Sequence, residues 1–224
     1  MKKMVILTVS ILMLSILILV VNYVVVEKNA SEISEGRPII QKETKHPAVL
    51  VIDIQEGITG KSSTSDVFVT QSEELIRVVN RIIDSSARND IPVIYIKNEI
   101  SNPLINILNS SLAKGSPGAE LDSRLRIVSD YVLNKDKSDA FSNSLLDSIL
   151  IDNDITTLVF TGLDLARCVN STIMAAANRN YDICLISDAL ISDPDSLKQG
   201  MLETFRQRGF EIMSSEEYFQ SLHR

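Results

Sequence analysis

The hydrophobic positions of this chain form one long run near the amino terminus and several short runs further on. Residues Met4 to Val26 are almost all Val, Ile, Leu or Met, and Lys2 and Lys3 precede them. A run of this length spans a bilayer, and it has no polar face that would suit a helix in a globular core. A cleavable signal peptide has a shorter apolar core and small residues at its cleavage site. We therefore predict an uncleaved transmembrane signal anchor over residues 1–26.

The next stretch, residues 27–46, is polar and charged without a sustained period. Such a stretch predicts a tether that does not pack against the rest of the chain. Lys2 and Lys3 favour a cytoplasmic amino terminus, although the basic residues after the run partly cancel this bias and leave the opposite orientation open. We expect a single-pass protein of the cell membrane whose folded domain, residues 47–224, lies outside the cytoplasm.

Within that domain, short apolar runs alternate with stretches of helical spacing. The runs predict strands at residues 47–55, 92–97, 131–133, 156–161, 182–187 and 210–213. Helical spacing occurs at residues 72–89, 142–151, 166–180 and 195–208, and a long polar connection runs from Asn98 to about Asp122. Alternation of this kind is typical of α/β proteins. We predict a three-layer α/β/α domain with a doubly wound, mainly parallel sheet.

Composition narrows the class of function. Without the apolar run about 180 residues remain, which is enough for one well-buried domain. The chain has 224 residues and a net charge of −7, so it offers no basic surface for nucleic acid, and a small molecule is the better partner. Its two histidines, His46 and His223, lack the spacing of metal ligands, and no glycine-rich nucleotide loop occurs. We predict neither a metal nor a cofactor.

Three ionisable residues occupy equivalent places at the ends of predicted strands, and they are Asp53, Lys135 and Cys168. The carboxyl ends of parallel strands share one edge of the sheet, so these side chains are expected to converge there. A carboxylate can remove the proton of a thiol, and a neighbouring ammonium is expected to lower the thiol pKa. Taken singly, Cys168 also suits a buried core position, Asp53 suits a helix cap, and Lys137 competes with Lys135.

The second cysteine, Cys184, serves as a control for the first. It lies inside the predicted strand 182–187, where a buried core thiol is expected. At about 3.3 Å per residue the strand interior lies roughly 10 Å below the sheet edge, beyond the reach of a disulfide to Cys168. We therefore expect two free cysteines with different roles.

The motifs around these residues resemble the isochorismatase-like cysteine hydrolase superfamily, which includes nicotinamidases and N-carbamoylsarcosine amidase-like enzymes. The resemblance covers most of residues 48–213. It rests on VLVIDIQEG, on the K-x-x-x-x-A-F spacing from Lys135 to Phe141, on the G-x-x-x-x-x-C-V pattern from Gly162 to Val169, and on STIMAAANRNYDICLISDA. The resemblance implies that Asp53, Lys135 and Cys168 form a catalytic triad.

It further implies a cis peptide between Leu163 and Asp164, with the N–H groups of Asp164 and Cys168 forming an oxyanion hole. Members of the superfamily are commonly oligomers, so a homo-oligomer is a further expectation. Two departures matter. The region after the second strand reads IYIKNEIS, where nicotinamidases carry a metal-binding Asp/His cluster. Leu165 and Ala166 stand where many members have Thr-Asp.

Together these features predict a metal-independent cysteine hydrolase that cleaves a C–N bond of a small amide or ureido compound through a thioester. Gln55, Lys97, Asn98 and Phe141, with the connection that follows Asn98, are the tentative substrate-binding residues. One alternative is a non-catalytic, membrane-tethered binding or scaffold domain of the same fold. Another is an isochorismatase-type vinyl-ether hydrolase, which is less favoured because the resemblance implies that isochorismatases proper generally do not use a cysteine here.

Overall fold

The computed structural model describes residues 2–222, so Met1, His223 and Arg224 lie outside the described residues. A single six-stranded sheet forms the centre of the domain, in the order β3-β2-β1-β4-β5-β6, and every neighbouring pair is parallel. The strands are β1 (Pro47–Ile52), β2 (Val93–Asn98), β3 (Val132–Lys135), β4 (Thr157–Gly162), β5 (Asp182–Leu190) and β6 (Glu211–Met213).

Between residues 2 and 222, seven α-helices accompany the sheet. They are α1 (Lys2–Ala30), α2 (Asp66–Arg88), α3 (Pro103–Leu108), α4 (Ser144–Asp152), α5 (Cys168–Asn178), α6 (Ser196–Gln207) and α7 (Ser215–Ser221). Strands β1 and β4 are buried at nearly every position because both faces of the sheet are covered. Side chains of α2 and α7 pack on one face, and side chains of α4, α5 and α6 pack on the other. The predicted three-layer fold is therefore confirmed.

Several local features differ from the pattern-based prediction, among them α3, which lies within the polar connection predicted from Asn98 to about Asp122. Helix α2 begins at Asp66, six residues before the predicted start at Ser72, because Ser65 caps it by accepting a hydrogen bond from the N–H of Phe68. Helix α7 has no predicted counterpart, since its seven residues are too few to show a helical period. Its start is fixed by a capping box between Ser214 and Glu217.

Helix α1 contains the whole apolar run and continues past its predicted end at residue 26 to Ala30. It is long and apolar enough to cross a membrane, with a mean hydropathy of 3.1 over its best window and no buried residues. A membrane anchor and a signal sequence both have these properties.

Residues 31–46 depart from the prediction of an unpacked tether, because they lie along the domain. The guanidinium of Arg179, which is 2% exposed, donates to the carbonyl oxygens of Ser34 and Glu35. Ser34 also donates its N–H and hydroxyl to the buried carboxylate of Asp139. Further along, the N–H of Ile39 donates to the carbonyl of Arg179 at 2.8 Å. Polar side chains of the domain thus hold a segment whose own composition suggests no partner.

Candidate active site

Asp53 follows the last residue of β1 and lies at the carboxyl edge of the sheet. Its φ of 56° falls in the left-handed region, which aspartate adopts more readily than most residues. Its N–H donates to the carbonyl of Ile96 in β2 at 2.9 Å, so the turn remains tied to the sheet. The residue is 2% exposed. The end of β1 therefore presents a buried carboxylate in a fixed position.

Lys135 is the last residue of β3 and reaches the same point from two strands away. Its Nζ donates to Oδ2 of Asp53 at 2.9 Å and to Sγ of Cys168 at 3.3 Å, and its side chain is fully buried. Lys137, the competing lysine in the sequence, lies at the surface with its Nζ 3.7 Å from Glu32. The structure brings Lys135, and not Lys137, to the other two residues.

Cys168 is the first residue of α5, directly after the N-cap residue Arg167. Helix α5 is tied to the turn after β3 through Thr172, whose hydroxyl donates to the carbonyl of Cys168 at 2.7 Å and accepts from the N–H of Ala140 at 3.1 Å. The thiol therefore lies at a helix N-terminus beside β1 and within reach of β3. Residues from three separate parts of the sequence meet at this one point.

The charges of this cluster differ from the sequence-based expectation. Burial raises the pKa of the Cys168 thiol to about 12, and the carboxylate of Asp53 adds to the rise, whereas Lys135 opposes it. The expected lowering of the thiol pKa by Lys135 is therefore outweighed. Burial also acts against the charged form of Lys135, but Asp53 and Cys168 together raise its pKa above the usual 10.5. Burial and Asp53 therefore favour the neutral form of the thiol, and the two neighbours of Lys135 favour its charged form.

The turn between β4 and α5 leaves two N–H groups free. The peptide bond between Leu163 and Asp164 is cis, as the resemblance implied. From residue 163 to residue 169, five N–H groups donate to acceptors in the chain. Among the described residues, those of Asp164 and Cys168 donate to none. These are the two groups that the resemblance assigns to an oxyanion hole.

One oxygen of Asp53 is also free. Oδ2 accepts from Lys135, but Oδ1 is buried and accepts no hydrogen bond from any residue between 2 and 222. A buried carboxylate oxygen without a partner is uncommon in folded proteins. Here it is an acceptor held beside the thiol and available for a proton.

A cleft of about 530 Å³ opens onto Asp53 and Cys168, a size typical of small-molecule sites. Its walls come from the segments that follow β1, β2, β4 and β5 at the carboxyl edge. Besides Asp53 and Cys168, the polar part of the lining consists of Ser63, Thr64, Ser65, Asn98, Asn109, Ser111, Asp164, Arg167 and Asp193. Apolar side chains, Ile58, Phe68, Leu112 and Leu163, complete it.

Six residues between Gly57 and Phe68 line the cleft, as does Asp193, although no motif marks them in the sequence. The hydroxyl of Ser65 donates to the carboxylate of Asp193 at 3.1 Å and joins the two segments. Both follow a strand whose carboxyl end lies at this edge, so the topology alone is the signal that could have found them.

Of the four tentative substrate-binding residues, the structure places Asn98 in the lining of the cleft. Gln55 lies behind it and is fully buried. The Gln55 amide accepts from the N–H of Asn98 at 2.7 Å and donates to the carbonyls of Asn98 and Ala119 at 3.0 and 2.8 Å. Gln55 thus holds the wall of the cleft in place and has no part in its surface.

Lys97 and Phe141 also lie outside the lining. Nζ of Lys97 is 2.9 Å from Glu120 and 3.9 Å from Glu99, so its charge is neutralised within the loop. Phe141 is buried in the core, with the guanidinium of Arg179 4.4 Å from the centre of its ring. Neighbouring residues of a strand point to opposite faces, which is why Asn98 reaches the cleft and Lys97 does not.

Cys184 lies in the interior of β5, 3% exposed, and burial raises the pKa of its thiol to about 12. Both cysteines are free.

Within residues 2–222, no group of three or more His, Cys, Asp or Glu side chains is placed to hold a metal ion.

The fold is therefore an α/β domain with a parallel sheet, and a cysteine, a carboxylate and a lysine meet at the carboxyl edge of that sheet. The family model of the isochorismatase domain matches residues 47–217. This chain belongs to the isochorismatase family.

Similar proteins within this family include amidohydrolases. N-carbamoylsarcosine amidase from Thermoplasma acidophilum has 30% identity and a TM-score of 0.65, and the match covers 77% of this chain and 97% of that structure. The ureidoacrylate amidohydrolase RutB of Methylobacterium radiotolerans is 38% identical over 99 residues, which span 42% of this chain and only 38% of that protein. A probable inactive nicotinamidase of Arabidopsis thaliana is 24% identical over 80% of this chain and 97% of its own length.

Proposed function

We propose that this chain is a cysteine hydrolase that cleaves the C–N bond of a small amide or ureido compound. The observation that carries the proposal is the cluster at the end of the cleft, where Lys135 contacts both Asp53 and Cys168. The names of two similar proteins, an amidase and an amidohydrolase, support the same class of substrate.

The proposed reaction begins when Sγ of Cys168 attacks the substrate carbonyl and its proton passes to the free Oδ1 of Asp53. This transfer leaves the net charge of the site unchanged, because the oxyanion that forms replaces the charge lost from the carboxylate. Lys135 lies beside the sulfur and stabilises the negative charge that develops on it. A thiol with a raised pKa is thus activated only as the proton moves.

The N–H groups of Asp164 and Cys168 are the proposed donors to the oxyanion, since they have no other acceptor in the described part of the chain. Asp53 then gives its proton to the leaving nitrogen, the C–N bond breaks and a thioester remains on Cys168. Water attacks the thioester with Asp53 as the base, and the acid is released as the thiol regains its proton. Every group in this scheme belongs to the chain, so activity is expected to survive EDTA.

The experiment is a screen of small primary amides and ureido compounds with the full chain in detergent, followed by assays of released ammonia or amine. Cys168→Ala is the inactive reference, and Cys184→Ala is the matched control for loss of a thiol. Turnover that requires Cys168 supports the proposal. Binding of these compounds without turnover, by a chain with both cysteines intact, would instead favour the non-catalytic domain, a possibility raised by the similar protein named as probably inactive.

For the membrane, we propose that α1 is a retained anchor and that the domain lies outside the cytoplasm. The apolar length of α1 supports an anchor, and Lys2 and Lys3 support this orientation. Protease added to intact spheroplasts should then remove the domain from the membrane fraction. Cleavage that appears only after lysis would place the domain in the cytoplasm, and a shortened soluble chain without protease would identify a signal sequence.

A further inference from the structure

The last turn of α1 is attached to the same edge of the sheet as the cleft. The carbonyl of Ala30 accepts a hydrogen bond from the N–H of Ser138 at 2.9 Å, and Ser138 lies three residues beyond Lys135. Ala30 is four residues beyond Val26, where the apolar run ends. At about 1.5 Å per residue, the carboxyl edge of the sheet therefore begins within about 6 Å of the end of that run.

Helix α3 lies beside α1 at this edge. The half-buried positions of α1 fall on one face of its second half, and they are Leu19, Asn22, Val26 and Ala30. This spacing of three, four and four residues is that of a helix packed along one side. The covered face of α1 begins within the apolar run. The part of the chain that packs on this face therefore lies at the depth of the interface between lipid and water.

The segment that carries α3 has the composition of a membrane-contact surface. No Asp, Glu, Lys or Arg occurs from Ile100 to Ala113, although 23% of the chain is charged. Ile107 is 71% exposed, which leaves a large apolar side chain uncovered by protein. Hydrogen bonds of Ile100 with Leu112 and Lys114 close the base of the segment, so it projects from the sheet as one unit.

From these contacts we infer that α3 is a membrane-contact surface that rests on the lipid bilayer entered by α1. Residues Asn109, Ser111 and Leu112 follow α3 directly and line the cleft. The cleft therefore opens beside the lipid surface. In that position it is within reach of amides that partition into lipid, a consequence that rests on the proposed function.

The chain contains no tryptophan, so a single introduced tryptophan reports its own position. The full chain is placed in vesicles of phosphatidylcholine with or without bromine on the acyl chains, which quench tryptophan only on contact. Ile107→Trp tests α3. Leu14→Trp, in the middle of α1, is the positive control, and Ile151→Trp is the matched control for an exposed apolar residue. Ile151 lies at the end of α4 that leads into β4, at the opposite edge of the sheet.

The three side chains are 58%, 71% and 61% exposed at positions 14, 107 and 151, so none of these changes disturbs a packed core. We expect brominated lipid to quench Leu14→Trp and Ile107→Trp and to leave Ile151→Trp unchanged. Quenching of Leu14→Trp alone would overturn the inference while α1 remains an anchor. If brominated lipid did not quench Leu14→Trp, α1 would not be in the bilayer, and the inference would be overturned together with the anchor.

Pro103→Trp, at the exposed first turn of α3, is a second probe of the same surface. It should behave as Ile107→Trp does, and a lack of quenching at both positions contradicts the inference. The readout is position alone, so its outcome is independent of whether the chain hydrolyses amides.

Discussion

Nζ of Lys135 lies 2.9 Å from Oδ2 of Asp53 although the strands that carry the two residues are not neighbours. Strand β2 runs between them, so at about 4.8 Å per strand the two backbones are roughly 10 Å apart. A long side chain is needed to cross that distance. Both side chains are almost completely buried, and each compensates a charge that would be costly alone.

Replacement of Lys135 by Met keeps the length of the side chain and removes its charge. Because Asp53 is then left buried without its cation, we expect loss of turnover and a fall of about 3 kcal/mol in the free energy of unfolding. Lys137→Met is the matched control, since Lys137 makes only an exposed ion pair, and it should cost less than about 1 kcal/mol. Urea unfolding measures the free energy of unfolding of both variants. Equal losses of stability would contradict the assignment of Lys135.

The ion pair of Lys135 with Asp53 also predicts the pH range over which Lys135 contributes to stability. The folded-state pKa of Lys135 lies above its unfolded value of 10.5, so its contribution to stability is fully present below pH 10.5 and is lost as pH rises through the higher folded value. The difference between the Lys135→Met and wild-type chains should therefore stay constant between neutral pH and pH 9. A difference that already declines across that range would show that the ammonium is not held as described.

Asp53→Asn should separate the reactivity of the thiol from turnover. The amide cannot accept the proton of the thiol, so turnover should be lost. Because the Asp53 carboxylate adds to the effect of burial in raising the pKa of Cys168, removal of the carboxylate should lower that pKa. Iodoacetamide should then alkylate Cys168 at lower pH than in the wild-type chain. Mass spectrometry follows the rate against pH, with the buried Cys184 as the unlabelled internal control.

If the alkylation profile of Asp53→Asn matched that of the wild-type chain, the carboxylate would not control the thiol. Equal labelling of Cys168 and Cys184 in the folded wild-type chain would contradict the difference in access on which the account depends.

Asp122 lies outside the cluster of Asp53, Lys135 and Cys168 and makes its own pH-dependent contribution to stability. Burial opposes its charge, but hydrogen bonds from Arg124 and Thr59 outweigh burial and lower the pKa of this carboxyl below 3.8. A lowered folded-state pKa contributes stability above the unfolded value and loses it as pH falls through the folded value. Asp122→Asn should therefore cost about 2 kcal/mol at pH 7, and the cost should shrink below pH 4. If the loss of stability in Asp122→Asn did not change with pH, the lowered pKa of Asp122 would be contradicted.

Gly162 closes β4 at the site and accepts no side chain. Its φ is 109°, and a Cβ at this position would lie 2.1 Å from the carbonyl oxygen of Ile52. Gly162→Ala should disturb the turn to Cys168. It should also lower the free energy of unfolding by more than about 1 kcal/mol, because alanine is strained at this positive φ. Gly200→Ala in α6 is the control, since its Cβ meets nothing and the change should stabilise the helix by up to about 1 kcal/mol. Calorimetry of both variants tests the contrast.

Much of this arrangement follows from the order of apolar runs in the sequence. Because parallel strands end at one edge, the positions of Asp53 and Cys168 predicted that they meet there, whereas the choice of Lys135 over Lys137 also needed the family resemblance. Asn98 reached the cleft for the same reason. Composition likewise marked the apolar helix, although its end at Ala30 depends on a contact with Ser138.

Other features depend on contacts that a local pattern does not contain. Gln55 and Lys97 stand at strand ends as Asn98 does, but the turn after β1 directs Gln55 into the wall, and strand alternation directs Lys97 to Glu120. The packing of residues 31–46 comes from Asp139 and Arg179, which lie more than 90 residues further along the chain. The charge state of Cys168 depends on its burial, which spacing alone does not reveal.

The central claim is that Cys168 is the nucleophile, and a trapped acyl group tests it most directly. The full chain is mixed with an accepted amide, stopped in acid during turnover and mapped by peptide mass spectrometry. We expect the acyl mass on the peptide with Cys168 in the wild-type and Cys184→Ser chains, and no adduct or turnover in Cys168→Ser. Turnover by Cys168→Ser at the wild-type rate, or an acyl group on another residue, would contradict the account.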